Sequence, residues 1–486
     1  MKEMQIIPKP ERVKLSHGEF AFEPKTTIFA STDFLPAANH LAQALAQATG
    51  VVFDVKQSEQ RTSAAGAICL RQDARRSELG DEGYALSVNA DGVVVRAFRP
   101  AGAFYACQTL RQMLPAPGKG GVPGPRTLPL ADIEDRPRFP WRGFMLDSSR
   151  HFQDGAFVRR LLDALAFYKI NRLHWHLCDS QGWRIEIDKY PGLTTAADGG
   201  KYDFYSKQEI REILDYAAMR HVLVYPEVEM PGHSFWPLEV FKELRCENAE
   251  PPFNEYCLGS EKTVLFFENV LREVMDLFPG AIIHLGGDEA DPGHWRKCPR
   301  CQARIRENGL ENEFMLQKWF MQKMADFVHA AGRESIAWAE RQELGWPAGQ
   351  VVQGWHPGES DKALAQGLRT VNSNDGFVYF DYPISPDDPM QAKWMPQLPL
   401  QKVYSFDPVP AGTDPGRAAL VLGSEACLWT ENIPQEKVFE KTFPRLLAFS
   451  EAVWSPAAAR DWDCFRARAA AHSLLLDAMG ISHFPL

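Results

Sequence analysis

The chain has 486 residues and a formal net charge of -10, with 45% hydrophobic and 24% charged residues. This composition is typical of a globular protein with a sizeable buried core, and it argues against broad disorder. Because the chain is acidic, its bulk charge does not attract DNA, RNA or an anionic membrane surface, and we expect no nucleic-acid partner. No apolar run reaches the roughly 18 residues that predict a membrane span.

The first residues bear on the cellular compartment. Met1 to Pro8 contain no apolar core of signal-peptide length. We expect a secreted or periplasmic protein whose leader is absent from this sequence. A cytoplasmic protein is the alternative that the sequence leaves open.

Tryptophan usage divides the chain into two parts. All 13 tryptophans follow residue 140, and a stretch rich in glycine and proline between Pro115 and Pro125 has the pattern of a loop. We therefore predict two domains, residues 1–135 and residues 136–486.

The first domain has the pattern of a small α+β fold. Helices are predicted over residues 40–48 and 102–114, and a hairpin over residues 84–88 and 93–96. No acids, bases or ligand-type residues gather there, so we interpret this part as an accessory domain.

The second domain alternates short apolar runs with helical patterns. Strands are predicted at residues 142–147, 172–177, 222–228, 281–285, 335–338, 351–355, either 370–372 or 378–380, and 421–428. Helices are predicted at residues 154–168, 207–219, 262–278 and 313–330. Eight strands with helices between them are typical of a (β/α)8 barrel, so the predicted class is α/β. A doubly wound open sheet would alternate in the same way, but with fewer strands.

In such barrels the chemistry lies at the carboxyl ends of the strands. Each predicted strand is followed by acids, aromatic side chains or both: Asp147 and Arg150; Asp179 and Trp183; Glu227, Glu229 and His233; Asp288 and Glu289; Trp338 and Glu340; Trp355; Tyr379 and Asp381; Trp429 and Glu431. Indole rings pack against the C–H faces of a pyranose, whereas its hydroxyls bind carboxylates and arginine. An acidic rim suits a sugar better than a phosphate. The sequence therefore predicts one sugar-binding pocket.

Asp288 and Glu289 are adjacent in the sequence. Because consecutive side chains at a strand end point in opposite directions, this pair is poorly placed to act as acid and nucleophile across one glycosidic bond. An adjacent pair is better suited to two different roles on one sugar. One residue protonates the leaving oxygen, and the other acts on a second group of the same sugar. That arrangement indicates substrate-assisted catalysis.

Six motifs of the second domain follow one another in a characteristic order. They are residues 141–152 (WRGFMLDSSRHF), 174–184 (HWHLCDSQGWR), 226–233 (PEVEMPGH), 284–289 (HLGGDE), 379–381 (YFD) and 423–431 (GSEACLWTE). Together they resemble the motifs of glycoside hydrolase family 20, the β-N-acetylhexosaminidases. The first domain resembles the α+β domain that precedes the barrel in that family.

The resemblance implies a retaining exo-β-N-acetylhexosaminidase that removes terminal β-linked GlcNAc or GalNAc through an oxazolinium intermediate. It implies that Glu289 is the general acid/base. Asp288 then orients the 2-acetamido group and stabilises its charged N–H, while Tyr379 donates to the carbonyl oxygen that attacks C1. The expected partner is a glycan or small molecule with a terminal N-acetylhexosamine.

The resemblance also implies the substrate contacts. These are Trp338, Trp355 and Trp429 as an indole box around the acetamido methyl and the ring, Trp394 as a further wall, Arg150 for O3 and O4, Glu431 for O4 and O6, and Asp381 for the acetamido group or O6. Asp179 and His233 are implied as a relay behind the acid. The indole lining is expected to disfavour the charged form of Glu289, which suits proton donation near neutral pH.

Two positions depart from the family pattern. Ser180 stands where many relatives have a second Asp, and Cys178 stands where Thr is common. Neither position carries a role named above. The alternative function is a non-catalytic glycan-binding barrel, which would need a missing acid or a missing acetamido-orienting residue. GlcNAc and GalNAc differ only in the direction of O4, and the sequence leaves that choice open.

No cofactor is expected. His174 and His176 alternate on a predicted strand and could mimic metal ligands. No third ligand stands at metal spacing, so we expect no catalytic metal.

The chain has nine cysteines, too few for a scaffold built on disulfides. Cys298 and Cys301 have the two-residue gap of zinc sites, but a structural zinc needs four ligands and the sequence has no second such pair. A local disulfide and two free thiols are the other interpretations. Cys246 and Cys257 could pair in an oxidising compartment.

Overall fold

A computed structural model describes residues 4–24, 26–59, 65–114, 124, 126–195, 203–340, 345–390 and 394–486. The loop predicted between Pro115 and Pro125 lies outside the described residues except at position 124. Within the described part of the chain, no helix is both long and apolar enough to cross a membrane.

The strands of the first domain form one mixed sheet. They are β1 (Arg12–Ala21), β2 (Thr27–Ala30), β3 (Asp54–Gln57), β4 (Ala67–Gln72), β5 (Tyr84–Asn89), β6 (Gly92–Ala97) and β7 (Thr127–Asp135). Their order across the sheet is β1-β7-β5-β6-β4-β2-β3. Antiparallel pairing of β5 with β6, from Tyr84 opposite Ala97 to Asn89 opposite Gly92, confirms the predicted hairpin.

Two helices, α1 (Leu35–Thr49) and α2 (Pro100–Met113), pack against this sheet and confirm the predicted helices. Helix α1 begins at Leu35 rather than at residue 40, because Pro36 is well tolerated in a first turn, where amides lack helical partners. Leu86 and Val95, which are paired across the hairpin, are both buried.

Eight parallel strands of the second domain close into a barrel, which confirms the predicted (β/α)8 fold. They are β8 (Trp141–Asp147), β9 (Arg172–His176), β12 (Leu223–Met230), β13 (Ile282–Gly286), β14 (Glu334–Trp338), β15 (Val351–Gly354), β16 (Thr370–Asn372) and β17 (Val421–Leu428). Each pairs with the next in this order, and β17 closes the ring against β8. A short antiparallel pair, β10 (Cys178–Asp179) and β11 (Gly182–Trp183), follows β9.

Helices accompany the barrel strands. They are α3 (Gly155–Phe167), α4 (Lys207–Ala218), α5 (Phe235–Val240), α6 (Glu261–Leu277), α7 (Gly293–Lys297), α8 (Pro299–Glu307), α9 (Glu313–Ala330), α10 (Glu359–Ala365), α11 (Asp375–Val378), α12 (Leu400–Ser405), α13 (Pro415–Ala418), α14 (Val438–Thr442), α15 (Arg445–Trp454) and α16 (Trp462–Ala478). The four helices predicted in this domain are α3, α4, α6 and α9. Their starts are capped: Asp154, for example, accepts a hydrogen bond from the backbone N–H of Phe157.

The structure decides between the two candidates for the seventh strand. Residues 370–372 form β16, whereas Tyr379 makes an isolated parallel bridge to Cys427 of β17. The backbone N–H of Phe380 donates to the carbonyl of Cys427 at 2.6 Å. The segment after β16 therefore returns to the barrel, and this contact fixes the position of Tyr379.

Asp135, at the end of β7, fastens the first domain to the barrel. Its carboxylate lies 2.8 Å from Lys169 Nζ, and both side chains are fully buried. It also accepts hydrogen bonds from Trp454 Nε1 at 2.9 Å and from the Tyr84 hydroxyl at 2.8 Å. Because Lys169 precedes β9, the first domain is attached at the amino ends of the strands, away from the carboxyl ends.

Candidate active site

A cavity of about 460 Å³ lies among side chains that follow the barrel strands. Its lining residues are Arg150, His233, Asp288, Glu289, Trp338, Trp355, His356, Asp375, Tyr379, Asp381, Tyr382, Trp394, Met395, Trp429 and Glu431. The structure thus brings together all the predicted site residues except Asp179, which lies behind the cavity. The volume is in the range of small-molecule sites.

Asp288 and Glu289 leave β13 through a turn at Gly286 and Gly287. The glycines have φ angles of 63° and 106°, and Glu289 itself has a φ of 50°. A Cβ on Gly286 would lie 2.1 Å from Glu229 Oε1, and the N–H of Gly287 donates to that oxygen at 3.1 Å. The turn therefore needs glycine at position 286, and Glu229 holds the backbone from which both carboxylates project.

His233 lies between these two carboxylates and Asp179. Its Nε2 is 3.5 Å from Asp288 Oδ2 and 3.4 Å from Glu289 Oε2, while its Nδ1 is 3.2 Å from Asp179 Oδ1. Burial disfavours the imidazolium, but the carboxylates of Asp179 and Glu289 raise the pKa of His233 to about 11. His233 is therefore a cation at neutral pH.

The two adjacent acids have opposite pKa shifts. The Asp288 side chain is 13% exposed, and burial raises its pKa to about 7. The Glu289 side chain is 58% exposed, and its contact with His233 lowers its pKa below the ordinary value. The expectation that the lining disfavours the charged form of Glu289 is therefore wrong, because Glu289 lies at the open rim beside a cation and burial acts on Asp288 instead.

Glu227 is the centre of a fully buried network that sequence reasoning placed at a strand end without a role. Its carboxylate accepts a hydrogen bond from Trp338 Nε1 at 2.7 Å. It lies 3.0 Å from His174 Nε2, 3.0 Å from His284 Nδ1, and in contact with His176 Nδ1. Burial opposes the charge on Glu227, but the three histidines hold its pKa well below the ordinary value. The network fixes the indole of Trp338 against the cavity.

No third ligand stands at metal spacing from His174 and His176 in the sequence, but the structure places ligand-type side chains beside His174. Ligand atoms of His174, Glu227 and His284 lie within 4.8 Å of one another. The sequence spacing did not show this group, because its members come from three different strands. On its other side, His174 Nδ1 lies 2.7 Å from Glu425 Oε1, so the ring bridges two buried carboxylates.

Arg150 connects several acids at the cavity. Its guanidinium lies 2.6 Å from Asp179, 3.1 Å from Asp147 and 3.7 Å from Glu431. The central carbon of this guanidinium, Arg150 Cζ, lies 5.1 Å from the ring centroid of Trp429. Asp179 thus links Arg150 to His233 and holds two cations of the site in fixed relation.

Four aromatic rings form a continuous wall. The centroids of Trp338 and Trp429 are 5.8 Å apart, and those of Trp429 and Tyr379 are 6.3 Å apart. Tyr379 and Trp355 are nearly parallel, at 15°, with centroids 6.5 Å apart. Flat rings in this arrangement suit the apolar faces of a sugar.

Two carboxylate oxygens at the cavity are buried without a hydrogen-bond partner among the described residues: Asp288 Oδ1 and Asp381 Oδ1. Burial raises the pKa of Asp381 to about 8, and Glu431 adds to the effect. Because buried polar atoms in proteins are nearly always paired, these two oxygens favour a polar ligand.

The mouth of the cavity contains residues that sequence reasoning missed. The Tyr382 hydroxyl donates to Asp375 Oδ2 at 3.3 Å, and His356 Nδ1 lies 3.7 Å from the same carboxylate. Trp394, a predicted wall, is 72% exposed and edge-on to Tyr382 at 6.2 Å. His356 and Tyr382 each directly follow a predicted site residue in the chain, and this adjacency was the only sequence feature that pointed to them. No sequence feature pointed to Asp375.

Cys298 and Cys301 do have a second pair of cysteines beside them. Their sulfur atoms and those of Cys246 and Cys257 all lie within 4.8 Å of one another. The sequence has no second pair with the same two-residue gap, but Cys246 and Cys257 complete a group of four cysteines in space. The second pair was missed because ten residues separate its members in the chain.

Known proteins share this architecture. The protein-family model described as "Glycosyl hydrolase family 20, catalytic domain" matches residues 139–457. The family model described as "Glycosyl hydrolase family 20, domain 2" matches residues 3–136. The Beta-hexosaminidase of Porphyromonas gingivalis is 35% identical over 507 aligned residues, which cover 100% of this chain and 65% of that protein. This chain thus spans less than two thirds of that relative's length.

Solved structures give the same result. The GH20 exo β-N-acetylglucosaminidase from Vibrio harveyi, in complex with N-acetylglucosamine, is 28% identical with a TM-score of 0.89, over 99% of this chain and 78% of that one. The GH20 β-N-acetylhexosaminidase from Streptomyces coelicolor is 33% identical with a TM-score of 0.85, over 99% of this chain and 97% of that one. The matches to both family models and to these structures show that the chain belongs to glycosyl hydrolase family 20.

Proposed function

We propose that the chain is a retaining exo-β-N-acetylhexosaminidase, which removes terminal non-reducing β-linked N-acetylhexosamine from glycans. The observation that carries this function is the adjacency of Asp288 and Glu289 in a cavity walled by indole rings. Two neighbouring acids serve one sugar well when the nucleophile belongs to the substrate. The relatives named β-hexosaminidase, and the Vibrio harveyi enzyme solved with N-acetylglucosamine, support the same substrate class.

In the proposed first step, the acetamido oxygen attacks C1 while the bond from C1 to the leaving oxygen breaks. Glu289 donates the proton that the leaving oxygen takes up. Asp288 stabilises the positive N–H of the oxazolinium, and Tyr379 donates its hydroxyl hydrogen to the attacking oxygen. Holding the nucleophile within the substrate avoids the entropy loss of a second molecule, and oriented groups reach effective molarities of about 10⁵–10⁸ M.

In the second step, water adds to C1 on the face that the leaving group occupied. Glu289, now a carboxylate, accepts a proton from that water, and the C1–oxygen bond of the oxazolinium breaks to restore the acetamido group. Two displacements at C1 retain the β configuration.

The remaining roles follow the positions around the cavity. Trp338, Trp355 and Trp429 would enclose the acetamido methyl and the sugar ring, and Trp394 would add a wall at the mouth. Arg150 would bind O3 and O4, Glu431 would bind O4 and O6, and Asp381 would bind the acetamido group or O6. Asp179 and His233 would connect these contacts to the acid. The unpartnered oxygens of Asp288 and Asp381 support polar contacts at both positions.

Two substrates test the proposal. We expect release of p-nitrophenol from the aryl N-acetyl-β-glucosaminide, and much slower release from its N-trifluoroacetyl analogue, because fluorine withdraws electron density from the amide oxygen that attacks C1. Equal rates on the two would contradict acetamido participation. The matched galacto substrate measures the preference at O4.

The same assay distinguishes the proposed enzyme from the alternative, a non-catalytic glycan-binding barrel. A binding protein would bind N-acetylglucosamine without releasing p-nitrophenol. Proton NMR of the fresh product adds a stereochemical check, since we expect the β anomer to appear before mutarotation.

A further inference from the structure

A cluster of four cysteines, defined here as Cys246, Cys257, Cys298 and Cys301, lies outside the cavity. Three contacts between its sulfur atoms have the same length: 3.7 Å from Cys246 to Cys301, from Cys257 to Cys298, and from Cys257 to Cys301. All four sulfurs lie within 4.8 Å of one another. They therefore surround a single point.

We propose that the four-cysteine cluster binds one structural zinc ion. Zinc–sulfur bonds are about 2.3 Å long, so a tetrahedral site places its sulfurs about 3.8 Å apart. The three 3.7 Å contacts match that separation. Binding converts four thiols and one Zn²⁺ into a tetrathiolate complex with release of four protons.

The sulfurs do not divide into two pairs, as they would in two disulfides. Cys257 is equally close to Cys298 and Cys301, and Cys301 is equally close to Cys257 and Cys246. A disulfide needs two sulfurs about 2.05 Å apart. Shared contacts of equal length favour one central ion over two covalent pairs.

The cysteines are almost fully buried, with Cys246 7% exposed and the other three 0% exposed. A closed, dry site with four protein ligands is typical of structural zinc. The backbone is also built for close packing around the cluster. A Cβ on Gly259 would lie 2.2 Å from the carbonyl carbon of Arg300, so the segment after Cys257 packs directly on the start of helix α8, between the last two cysteines.

The cluster joins two loops that converge on the candidate active site. Its first two cysteines belong to the loop that carries His233, and its last two follow Asp288 and Glu289 in the chain. Helix α8 begins between the last two, at Pro299. The proposed zinc would therefore hold the loop of His233 at a fixed distance from the loop of the two acids.

The metal content of the full chain tests the proposal directly. We expect one zinc per chain by elemental mass spectrometry, after purification without a metal-affinity column or added metal. Cys301→Ala should lose the zinc and lower the Tm. The matched control is Cys107→Ala, at a cysteine that is equally buried but lies in α2 of the first domain, and it should keep its zinc.

A second measurement on the unmodified protein keeps the proposal testable if Cys301→Ala does not fold. The protein is denatured in the presence of a chelator and an alkylating reagent, without a reductant. If the cluster binds zinc, we expect all nine cysteines to be alkylated. Protection of four cysteines would show two disulfides and would overturn the proposal. So would full alkylation without bound zinc, iron in place of zinc, or a Cys301→Ala protein that keeps its zinc.

Discussion

His233 Nε2 lies 3.5 Å from Asp288 Oδ2, so a cation from the loop after β12 touches a buried acid from the turn after β13. The same nitrogen is 3.4 Å from Glu289 Oε2. Because the pKa of Asp288 is raised to about 7 and that of Glu289 is lowered, the proton of this acid pair lies on Asp288 below about pH 7 in the free protein. The proposed reaction needs that proton on Glu289. His233, in contact with both, can give its proton to Glu289 and take one from Asp288.

The shared proton predicts the pH dependence of kcat/KM, which reports the free enzyme. The form with one proton on the pair is the active one. It is lost above about pH 7, where Asp288 deprotonates, and at acid pH, where Glu289, whose pKa lies below its ordinary value, also becomes protonated. We expect a bell-shaped profile with its alkaline limb near pH 7, measured with p-nitrophenyl N-acetyl-β-glucosaminide. Because interacting acids titrate as a pair, the alkaline limb reports the loss of their shared proton. A profile that stays flat through pH 7 would contradict the assignment of that proton to Asp288 and Glu289.

His233→Gln removes the positive charge that lowers the pKa of both acids. Both limbs of the profile should therefore move to higher pH, along with a fall in kcat. The control is His483→Gln, because His483 pairs with Asp477 near the end of the chain, away from the cavity lining. If the limbs of His233→Gln coincide with those of the unchanged protein, His233 does not set the charge of the acid pair.

Glu289→Gln keeps the shape of the side chain but cannot donate a proton to the leaving oxygen. We expect kcat on an unactivated glycoside, such as chitobiose, to fall by about 10²–10⁴-fold. An aryl substrate with a good leaving group should lose much less in the first step. Glu436→Gln, at an exposed position, serves as the control. Equal loss on both classes of substrate would speak against an acid role.

Gly286→Ala tests the turn that positions both acids. The new methyl group would lie 2.1 Å from Glu229 Oε1 at a φ of 63°. Gly309→Ala is a matched control, with a φ of 60° and open space around its Cβ position. Both variants carry a left-handed strain of roughly 1–2 kcal/mol. We expect Gly286→Ala alone to lose about 10²-fold in kcat, because the overlap displaces the acids. Similar activity in the two variants would show that the overlap relaxes harmlessly.

Lys169→Met tests the junction between the domains. The variant leaves Asp135 buried without its cation, and such a loss costs about 3–5 kcal/mol of unfolding free energy. Lys437→Met removes an ion pair with Glu440 on the surface and should change stability little. Urea unfolding followed by tryptophan fluorescence measures both. An unchanged midpoint for Lys169→Met would mean that Trp454 and Tyr84 suffice to satisfy Asp135.

Much of the barrel could be predicted from the sequence, because the spacing of apolar residues that indicates a strand or a helix is visible within a short segment of the chain. The strand ends also showed where acids and indoles follow the apolar runs, as at Asp288 and Trp429. The seventh strand could not be assigned with equal certainty. Residues 370–372 (TVN) and 378–380 (VYF) both contain strand-forming side chains. The choice depends on which of them pairs with β15 and β17 across the barrel.

The sequence by itself determined the order of the elements and the set of side chains at the strand ends, since both are properties of neighbouring residues. Only the tertiary structure decided which charges and sulfurs meet. It placed His233 against Asp288 and Glu289, surrounded Glu227 with three histidines, and gathered four cysteines from two loops. Burial and Coulomb interactions depend on distance in space, and for residues on different strands the spacing in the chain does not contain that distance.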